Sequence, residues 1–124
     1  MDRRRDDRTT LNIDCNIYLK EVGEIDCKVI DISEVGIAFE IEYNDRLYKK
    51  LNKGMKIKFL YLDEYLYANN EYFNIITSEC ILTRIAKKNN KMIVGCDLLI
   101  DNNIKKYIAQ RKVVNFIEKM KSIM

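Results

Sequence analysis

The feature that most constrains the fold is an alternation of apolar and polar residues, which recurs with a period of two in separate segments of the chain. Between residues 11 and 19, Leu, Ile and Cys side chains alternate with Asn, Asp, Tyr and Lys. Strict alternation is typical of β-strands that have one buried and one exposed face. Segments of the same kind follow at residues 25–29, 35–41, 55–61, 72–87 and 92–99. The sequence therefore predicts six strands.

Short connections and two helical segments complete the predicted fold. Residues 45–51 are predicted to form a short helix, with Asn44 or Asp45 as its N-cap. Asp101 is the predicted N-cap of a C-terminal α-helix from about residue 102, along which apolar residues recur at helical spacing. Because the strands are short and closely linked, we expect a mainly β fold: a six-stranded antiparallel β-barrel closed by the C-terminal helix.

The length of the chain and the character of its first residues indicate the domain organisation. The chain has 124 residues, of which 48% are apolar, enough for one domain with a substantial core. We expect residues 11–124 to form that single domain. Residues 1–10 carry charge and no apolar anchor, so we expect a flexible, arginine-rich arm. Two arrangements stay open: a free-standing adaptor, or a piece of a longer protein in which the arm links to an upstream domain.

Charge and hydropathy argue against two classes of partner. The chain has 22 basic and 19 acidic residues, a net charge of +3, which is too balanced for a general binder of nucleic-acid polymers. No apolar run approaches the roughly 20 residues that a transmembrane helix needs, so we expect no membrane insertion. The basic N-terminus lacks the apolar core of a signal peptide, and the four cysteines are scattered in apolar segments. We therefore expect a cytoplasmic protein with reduced thiols.

Catalysis is not expected of this chain. It contains no histidine, which rules out histidine-dependent acid–base chemistry and removes a common zinc ligand. No carboxylates cluster beside the arginines in a way that suggests a metal site or a general base. We therefore predict a protein that is not an enzyme and that has no catalytic residues, metal or cofactor.

Arginines are concentrated at the start of the chain. Arg3, Arg4, Arg5 and Arg8 fall within six residues, whereas lysine supplies most of the positive charge elsewhere. A guanidinium is planar and permanently charged. It can donate two parallel hydrogen bonds to a phosphate or a purine edge, and it stacks on flat rings. The cluster therefore favours a planar, phosphorylated ligand, and a solvated terminal charge run remains the alternative.

A second motif, D-x-S-x-x-G, occupies the predicted turn between the second and third strands. Gly36 allows close backbone approach or a positive φ, and the Ser33 hydroxyl can donate to a phosphate oxygen. The Asp31 carboxylate only accepts hydrogen bonds, so it suits paired donors such as guanine N1–H and the 2-amino group. Together with the arginines, this set fits a guanine nucleotide better than a bare phosphate or an adenine. An ordinary turn is the alternative.

The two motifs together resemble the signature of the PilZ domain family. Arg4-x-x-x-Arg8 matches that family's R-x-x-x-R motif, and Asp31-x-Ser33-x-x-Gly36 matches its D/N-x-S-x-x-G motif, in the same order. The intervening segment holds a strand, a turn and a second strand, as in that family. The later segment I-V-G-C-D-L resembles its last barrel strand, which a helix follows, so the similarity covers essentially the whole chain.

The resemblance implies a receptor for the bacterial second messenger cyclic di-GMP, commonly bound as an intercalated dimer of two molecules. Carried over by position, Arg4 and Arg8 would grip guanine and phosphate. Asp31 and Ser33 would hydrogen-bond the guanine and its surroundings, and Gly36 would shape the turn. The arm would become ordered over the ligand, and a downstream protein or adjacent domain would read the new surface. Motility, polysaccharide production and surface attachment are the processes that such proteins regulate.

Additional contacts and an alternative function are also predicted. Arg3 and Arg5 are candidates for further phosphate contacts, and Arg84, on the fifth strand, for a contact with a guanine. A solvent-facing position is the alternative for each. Ile117 and Met120 of the last helix are expected to cap the barrel. The alternative function is a ligand-independent PilZ-type protein-interaction module that docks through the barrel and the C-terminal helix.

Overall fold

The computed structural model of the chain describes residues 8–63, 75–99 and 102–123. Within these ranges the fold is a closed barrel of antiparallel strands with one short and one long helix. The strands are β1 (Thr9–Leu19), β2 (Gly23–Ile32), β3 (Gly36–Glu42), β4 (Lys56–Leu62), β5 (Ile75–Lys88) and β6 (Lys91–Leu98). The helices are α1 (Asp45–Lys50) and α2 (Asn102–Ile123). Neighbouring strands follow the order β1-β2-β3-β6-β5-β4, and β4 returns to β1. The predicted fold class is confirmed.

The barrel interior is filled by the apolar residues of the alternating pattern. Along β4, for example, Ile57, Phe59 and Tyr61 are buried while the residues between them are exposed. The Phe39 and Phe59 rings lie 5.7 Å apart, centroid to centroid, in a tilted arrangement that aromatic pairs favour. The large side chains at the centre of the barrel close it into a packed core, so ligands must bind on its outer surface or its rim.

Three element boundaries differ from the sequence predictions. β1 begins at Thr9, two residues before the predicted start of the folded domain, and Thr9 is buried. Val35, predicted to face the core with the third strand, is 56% exposed because it lies in the hairpin turn before β3. The predicted start of the fifth strand near residue 72 lies outside the described residues, as does Asp101.

The turns and the short helix follow local sequence signals. Gly23, with φ of 101°, closes the β1–β2 hairpin, and Asn89, with φ of 57°, closes the β5–β6 hairpin as predicted. Of the two residues predicted to cap α1, Asn44 does so: its side chain accepts a hydrogen bond from the Leu47 N–H at 3.1 Å. These connections lie at the end of the barrel away from the D-x-S-x-x-G turn.

Helix α2 packs on the barrel mainly through its first half. Ile104, Tyr107 and Ile108 are buried against the barrel. Ile117 and Met120 are 46% and 42% exposed, so the prediction that they cap the barrel is wrong. At about 100° per residue, these two positions lie on the side of the helix opposite the buried residues. Neither helix in the described ranges meets the length and hydropathy needed to cross a bilayer.

Candidate ligand site

The hairpin turn between β2 and β3 is held by Ser33. Its hydroxyl oxygen accepts hydrogen bonds from the N–H groups of Val35, at 3.3 Å, and Gly36, at 3.1 Å. The Ser33 N–H donates to the Gly36 carbonyl oxygen at 2.8 Å, and the Leu98 N–H of β6 donates to the Val35 carbonyl oxygen at 2.9 Å. Because Ser33 is buried and its hydroxyl is used in this way, the residue fixes the shape of the turn in this structure.

Gly36 allows β3 to approach β6 closely. Its φ is not positive, so of the two predicted reasons for a glycine here, close approach is the one observed. A Cβ atom at this position would lie 3.1 Å from the carbonyl oxygen of Cys96. A side chain would therefore push the turn away from β6, whereas the glycine allows the turn to stay close to that strand.

Arg8 and Asp31 bring the two sequence motifs into contact. The Arg8 Nη1 atom donates to the Asp31 Oδ1 atom at 3.0 Å, across 23 positions of the chain. The pairing follows from the strands, because Thr10 on β1 lies opposite Asp31 on β2 and Arg8 immediately precedes β1. The two side chains remain 33% and 25% exposed, so both are accessible to a ligand at the rim.

Asp31 belongs to a row of residues that crosses four strands in register. Asp31 lies opposite Ala38 on β3, Ala38 opposite Gly95 on β6, and Gly95 opposite Arg84 on β5. Ala38 lies between core-facing Ile37 and Phe39, so it is on the outer face, as strand alternation requires. The row therefore places a carboxylate at one end and a guanidinium at the other, with two of the smallest residues between them.

Irregularities in three strands are clustered at this row. The register shifts between Thr10 and Ile13 on β1, between Val29 and Asp31 on β2, and between Leu82 and Arg84 on β5. In each case one strand carries an extra residue, which is the definition of a β-bulge. Bulges redirect side chains and are frequent at barrel rims and functional sites. The barrel thus departs from regular pairing beside Thr10, Asp31 and Arg84.

The Arg84 side chain lies over Gly95. A Cβ atom on Gly95 would come within 2.8 Å of the Arg84 Nε atom and 2.9 Å of its Cγ atom. Gly95 is buried although it faces outward, and Arg84 itself is exposed. The glycine therefore lets the Arg84 side chain lie close against the barrel, and its exposed guanidinium is available to stack on a planar group.

Helix α2 is anchored next to the site by a buried polar cluster. Asp63, which is fully buried, accepts hydrogen bonds from Tyr107 Oη and Arg111 Nη1, each at 2.8 Å. Farther along the helix, Asn115 Nδ2 donates to the Thr10 carbonyl oxygen at 3.3 Å. Thr10 is the register partner of Asp31, so the helix reaches the start of β1 beside the candidate site.

Two buried tyrosines and two buried cysteines have a raised pKa, which favours their neutral forms. Burial raises the pKa of the Tyr107 and Tyr61 phenols. A hydrogen bond between the Cys15 and Cys27 thiols, together with burial, raises the pKa of Cys27, and Cys96 and burial do the same for Cys80. Thiolates are thus disfavoured, which fits structural rather than reactive cysteines. Among the described residues no group of three or more potential metal ligands is suitably placed to hold an ion.

The structure brings together four of the predicted site residues: Arg8, Asp31, Ser33 and Gly36. Arg84 lies at the far end of the same row across the barrel. The remaining predicted residues, Arg3, Arg4 and Arg5, lie outside the described residues.

Sequence reasoning missed Thr10, Ala38 and Gly95. The signal for Gly95 was present, because an isolated glycine within a strand pattern indicates a bulge or a close approach. Thr10 and Ala38 lie next to Asp31 because of the strand register, which the sequence alone does not reveal.

A surface cavity of about 790 Å³ lies elsewhere, along β1, β2 and β4. Asp14, Asn16 and Asp26 are among its lining residues, and Asn16 Nδ2 donates to Asp26 Oδ1 at 3.2 Å. Among the described residues, two carboxylates and no cationic side chain line this cavity, a charge that disfavours a phosphate. Of the two surfaces, the rim around Arg8 and Asp31 is the one with the chemistry for an anionic ligand.

Comparison with known families identifies the chain. The family model described as "PilZ domain" matches residues 2–110. The match covers most of the chain, and the chain therefore belongs to the PilZ domain family. No curated protein matches it.

Solved structures share the fold. The chain is similar to the Bacillus subtilis inhibitor of motility, MotI/DgrA, with 19% identity and a TM-score of 0.67 over 90% of this chain and 50% of that one. It is similar to the PilZ domain with c-di-GMP of YcgR from Escherichia coli, with 12% identity and a TM-score of 0.67 over 93% of each chain. For the MrkH–c-di-GMP complex from K. pneumonia the identity is 17% and the TM-score 0.66, over 100% of this chain and 56% of that one. This chain thus spans about half the length of MotI and MrkH.

Proposed function

We propose that this PilZ domain is a receptor for cyclic di-GMP, which binds at the rim formed by the arginine-rich arm and the β2–β3 turn. The observation that carries the proposal is the contact between Arg8 Nη1 and Asp31 Oδ1, which joins the two motifs of the signature. The proposed ligand residues are Arg4, Arg8, Asp31, Ser33 and Gly36. A single molecule and an intercalated dimer of two molecules both present guanine edges and phosphates, so the proposal covers either stoichiometry.

Asp31 provides the base selectivity in this proposal. Its Oδ1 atom accepts from Arg8, and the second carboxylate oxygen has lone pairs for a guanine N1–H or 2-amino group. An adenine presents N1 as an acceptor at the corresponding position, which a carboxylate would repel. Arg8 then has two uses: it orients the carboxylate, and its remaining N–H groups can fork onto guanine or phosphate oxygens.

The row between Asp31 and Arg84 supplies a surface for a planar base. Gly95 and Ala38 are buried and the exposed Arg84 side chain lies over Gly95, so a ring that approaches the outer face here would meet Arg84. Arg84 can stack on a guanine, and its guanidinium adds cation–π attraction. Ser33 and Gly36 contribute by holding the turn, and Arg3 and Arg5 are proposed to add phosphate contacts from the arm.

Binding is proposed to change a surface rather than to catalyse a reaction. The arm residues would be neutralised by the ligand phosphates and ordered against the rim, at a cost of about 1–2 kcal/mol per residue for the backbone. Stacking and bidentate contacts must offset this cost. A downstream protein or an adjacent domain would read the resulting surface and regulate motility, polysaccharide production or attachment, in a cytoplasmic setting. The c-di-GMP complexes of YcgR and MrkH, and the motility inhibitor MotI, support this direction.

A second candidate function is a ligand-independent PilZ-type interaction module. The observation that favours it is the exposed apolar surface on the second half of α2, where Phe116 is 63% exposed. Such a module would bind its partner equally well with and without cyclic di-GMP.

Isothermal titration of the full chain with cyclic di-GMP tests the proposal. We expect saturable binding for the wild type and loss of binding for Arg8→Ala and for Asp31→Ala. Arg46→Ala and Asp26→Ala are matched controls, because both residues are exposed and lie away from the rim. Unchanged binding in Arg8→Ala and Asp31→Ala would place the ligand elsewhere. Absence of binding to the wild type would favour the interaction module.

A further inference from the structure

The barrel-facing side of helix α2 ends in a polar residue, Asn115. Ile108 and Arg111 are buried on this side, and Asn115 follows Arg111 by four residues, the spacing of neighbours along one helix face. Val114, next to it, is partly buried against the core, so the helix still contacts the barrel here. An apolar residue would suit such a position for packing alone. The amide makes a hydrogen bond instead: Asn115 Nδ2 donates to the Thr10 carbonyl oxygen at 3.3 Å.

The start of β1 has few strand contacts of its own. Thr9 and Thr10 pair with the end of β2, and the register then shifts before Ile13. A bulge therefore separates these two pairs from the regular part of the ladder. On its other side β1 pairs with β4 only at residues 15–18, so none of the described strands borders Thr9 and Thr10 there. Helix α2 supplies a further contact to this segment through Asn115.

The position of Arg8 depends on this segment. Arg8 immediately precedes β1, and its Nη1 atom donates to Asp31 Oδ1 at 3.0 Å. Thr10 lies opposite the same aspartate in the strand register. The hydrogen bond from Asn115 to Thr10 therefore acts two residues from the Arg8 guanidinium and directly across from the Asp31 carboxylate.

The helix offers a fixed support for this hydrogen bond. Arg111, one turn before Asn115, donates to the fully buried Asp63 at 2.8 Å. A buried pair of this kind holds the helix backbone in place, because moving it would leave the carboxylate without its cation. Asn115 thus projects toward β1 from an anchored turn of α2.

We infer that Asn115 is a positioning residue for the nucleotide site and that it couples α2 to ligand binding. The inference rests on the proposed function, in which cyclic di-GMP binds at Arg8 and Asp31. In this role Asn115 acts through Thr10, because it holds the start of β1, and with it Arg8, in the geometry that binds. Coupling between two sites is reciprocal, so binding in turn stabilises the contact between α2 and β1.

Calorimetric titration of the full chain with cyclic di-GMP tests the effect on affinity. Asn115→Leu keeps a similar size without a donor, and Asn115→Ala removes the side chain. We expect both to bind about three- to tenfold more weakly than the wild type. Their melting temperatures should stay close to the wild type, because both replacements favour the helix more than asparagine does. Ser122→Ala, which removes a hydroxyl that bonds only within α2, is the matched control and should keep wild-type affinity.

Hydrogen exchange tests the same contact with and without the nucleotide. In the ligand-free chain, the amides of residues 9–11 should exchange about threefold faster in Asn115→Leu than in the wild type or Ser122→Ala. Those of residues 37–41 in β3 should be unchanged. Saturating cyclic di-GMP should slow exchange at residues 112–116 in the wild type, and this slowing should be smaller in Asn115→Leu. A purely structural role would lower the melting temperature and leave the affinity unchanged.

The outcomes distinguish this inference from the proposed function. If the wild type does not bind cyclic di-GMP, the proposed function fails, and exchange at residues 9–11 alone decides whether Asn115 holds the start of β1. If the wild type binds and both Asn115 variants bind equally well, the proposed function stands and the inference is overturned. Equal exchange at residues 9–11 in Asn115→Leu and the wild type would also overturn it.

Discussion

Arg8 and Asp31, 23 positions apart in the chain, form an ion pair of 3.0 Å at the rim of the barrel. The pair lies at the end of a row that continues through Ala38 and Gly95 to Arg84. The fold thus positions a hydrogen-bond acceptor and a guanidinium next to one another before any ligand arrives. Preorganised groups reduce the ordering cost of binding.

Replacing Arg8 with lysine should separate charge from geometry. Arg8→Lys keeps the positive charge but loses the planar fork, so we expect the affinity for cyclic di-GMP to fall about tenfold. The free energy of unfolding should change by less than about 1 kcal/mol, because the ion pair is partly exposed. Titration calorimetry and urea unfolding measure the two effects. Wild-type affinity in Arg8→Lys would mean that the charge alone matters.

Gly95→Ala should act through Arg84. The new methyl group would lie 2.8 Å from the Arg84 Nε atom, too close for van der Waals contact, so the Arg84 side chain must swing away from the barrel. We expect a loss of cyclic di-GMP affinity similar to that of Arg84→Ala, and little further loss in the double variant, because both changes remove one interaction. Fully additive losses in the titration cycle would show that Gly95 and Arg84 act independently.

The free energy of unfolding should depend strongly on the buried ion pair between Asp63 and Arg111. Arg111→Met removes the guanidinium from the fully buried Asp63, and we expect a destabilisation of about 3–5 kcal/mol. The double variant Asp63→Asn/Arg111→Met should recover part of that loss, because the buried negative charge is then absent. Urea unfolding at pH 7 measures both. An Arg111→Met variant as stable as the wild type would contradict the role assigned to the pair.

Stability should fall in alkaline solution. Burial and neighbouring groups raise the pKa of Cys27, Cys80, Tyr61 and Tyr107 in the folded state. In the unfolded chain these groups ionise near their ordinary values of about 8.5 for cysteine and 10 for tyrosine. Their contribution is therefore complete below about pH 8.5 and is lost as pH rises toward the folded-state pKa.

Urea unfolding between pH 7 and pH 10.5 measures this loss. The double variant Cys27→Ala/Cys80→Ala is the control: it is less stable at pH 7, and its stability should decline less steeply above pH 8.5. Parallel pH profiles for the variant and the wild type would contradict the account of the buried thiols.

The strands and the helices could be predicted from the sequence because each is encoded by local periodicity. The alternation in β4 and the Asn44 cap of α1 need no knowledge of distant residues. Val35 and Ile117 were misassigned because an apolar side chain at the end of an element obeys the same spacing whether it is covered or exposed. Whether such a side chain is buried depends on tertiary packing, which local spacing does not specify.

The candidate site was predictable only in part. The R-x-x-x-R and D-x-S-x-x-G motifs predicted the proximity of Arg8 and Asp31, which the structure contains. The row through Ala38 and Gly95 depends on three bulges, and each shifts the register by one residue without leaving a simple sequence pattern. The order β3-β6-β5, which brings Arg84 into the row, is likewise set by the closed barrel.

The most direct measurement is a side-by-side calorimetric titration of the full wild-type chain with cyclic di-GMP and with cyclic di-AMP. Because the Asp31 carboxylate can accept from guanine N1–H but not from adenine N1, the account predicts saturable binding of cyclic di-GMP and no detectable binding of cyclic di-AMP. Equal binding of the two nucleotides, or no binding of cyclic di-GMP, would contradict it.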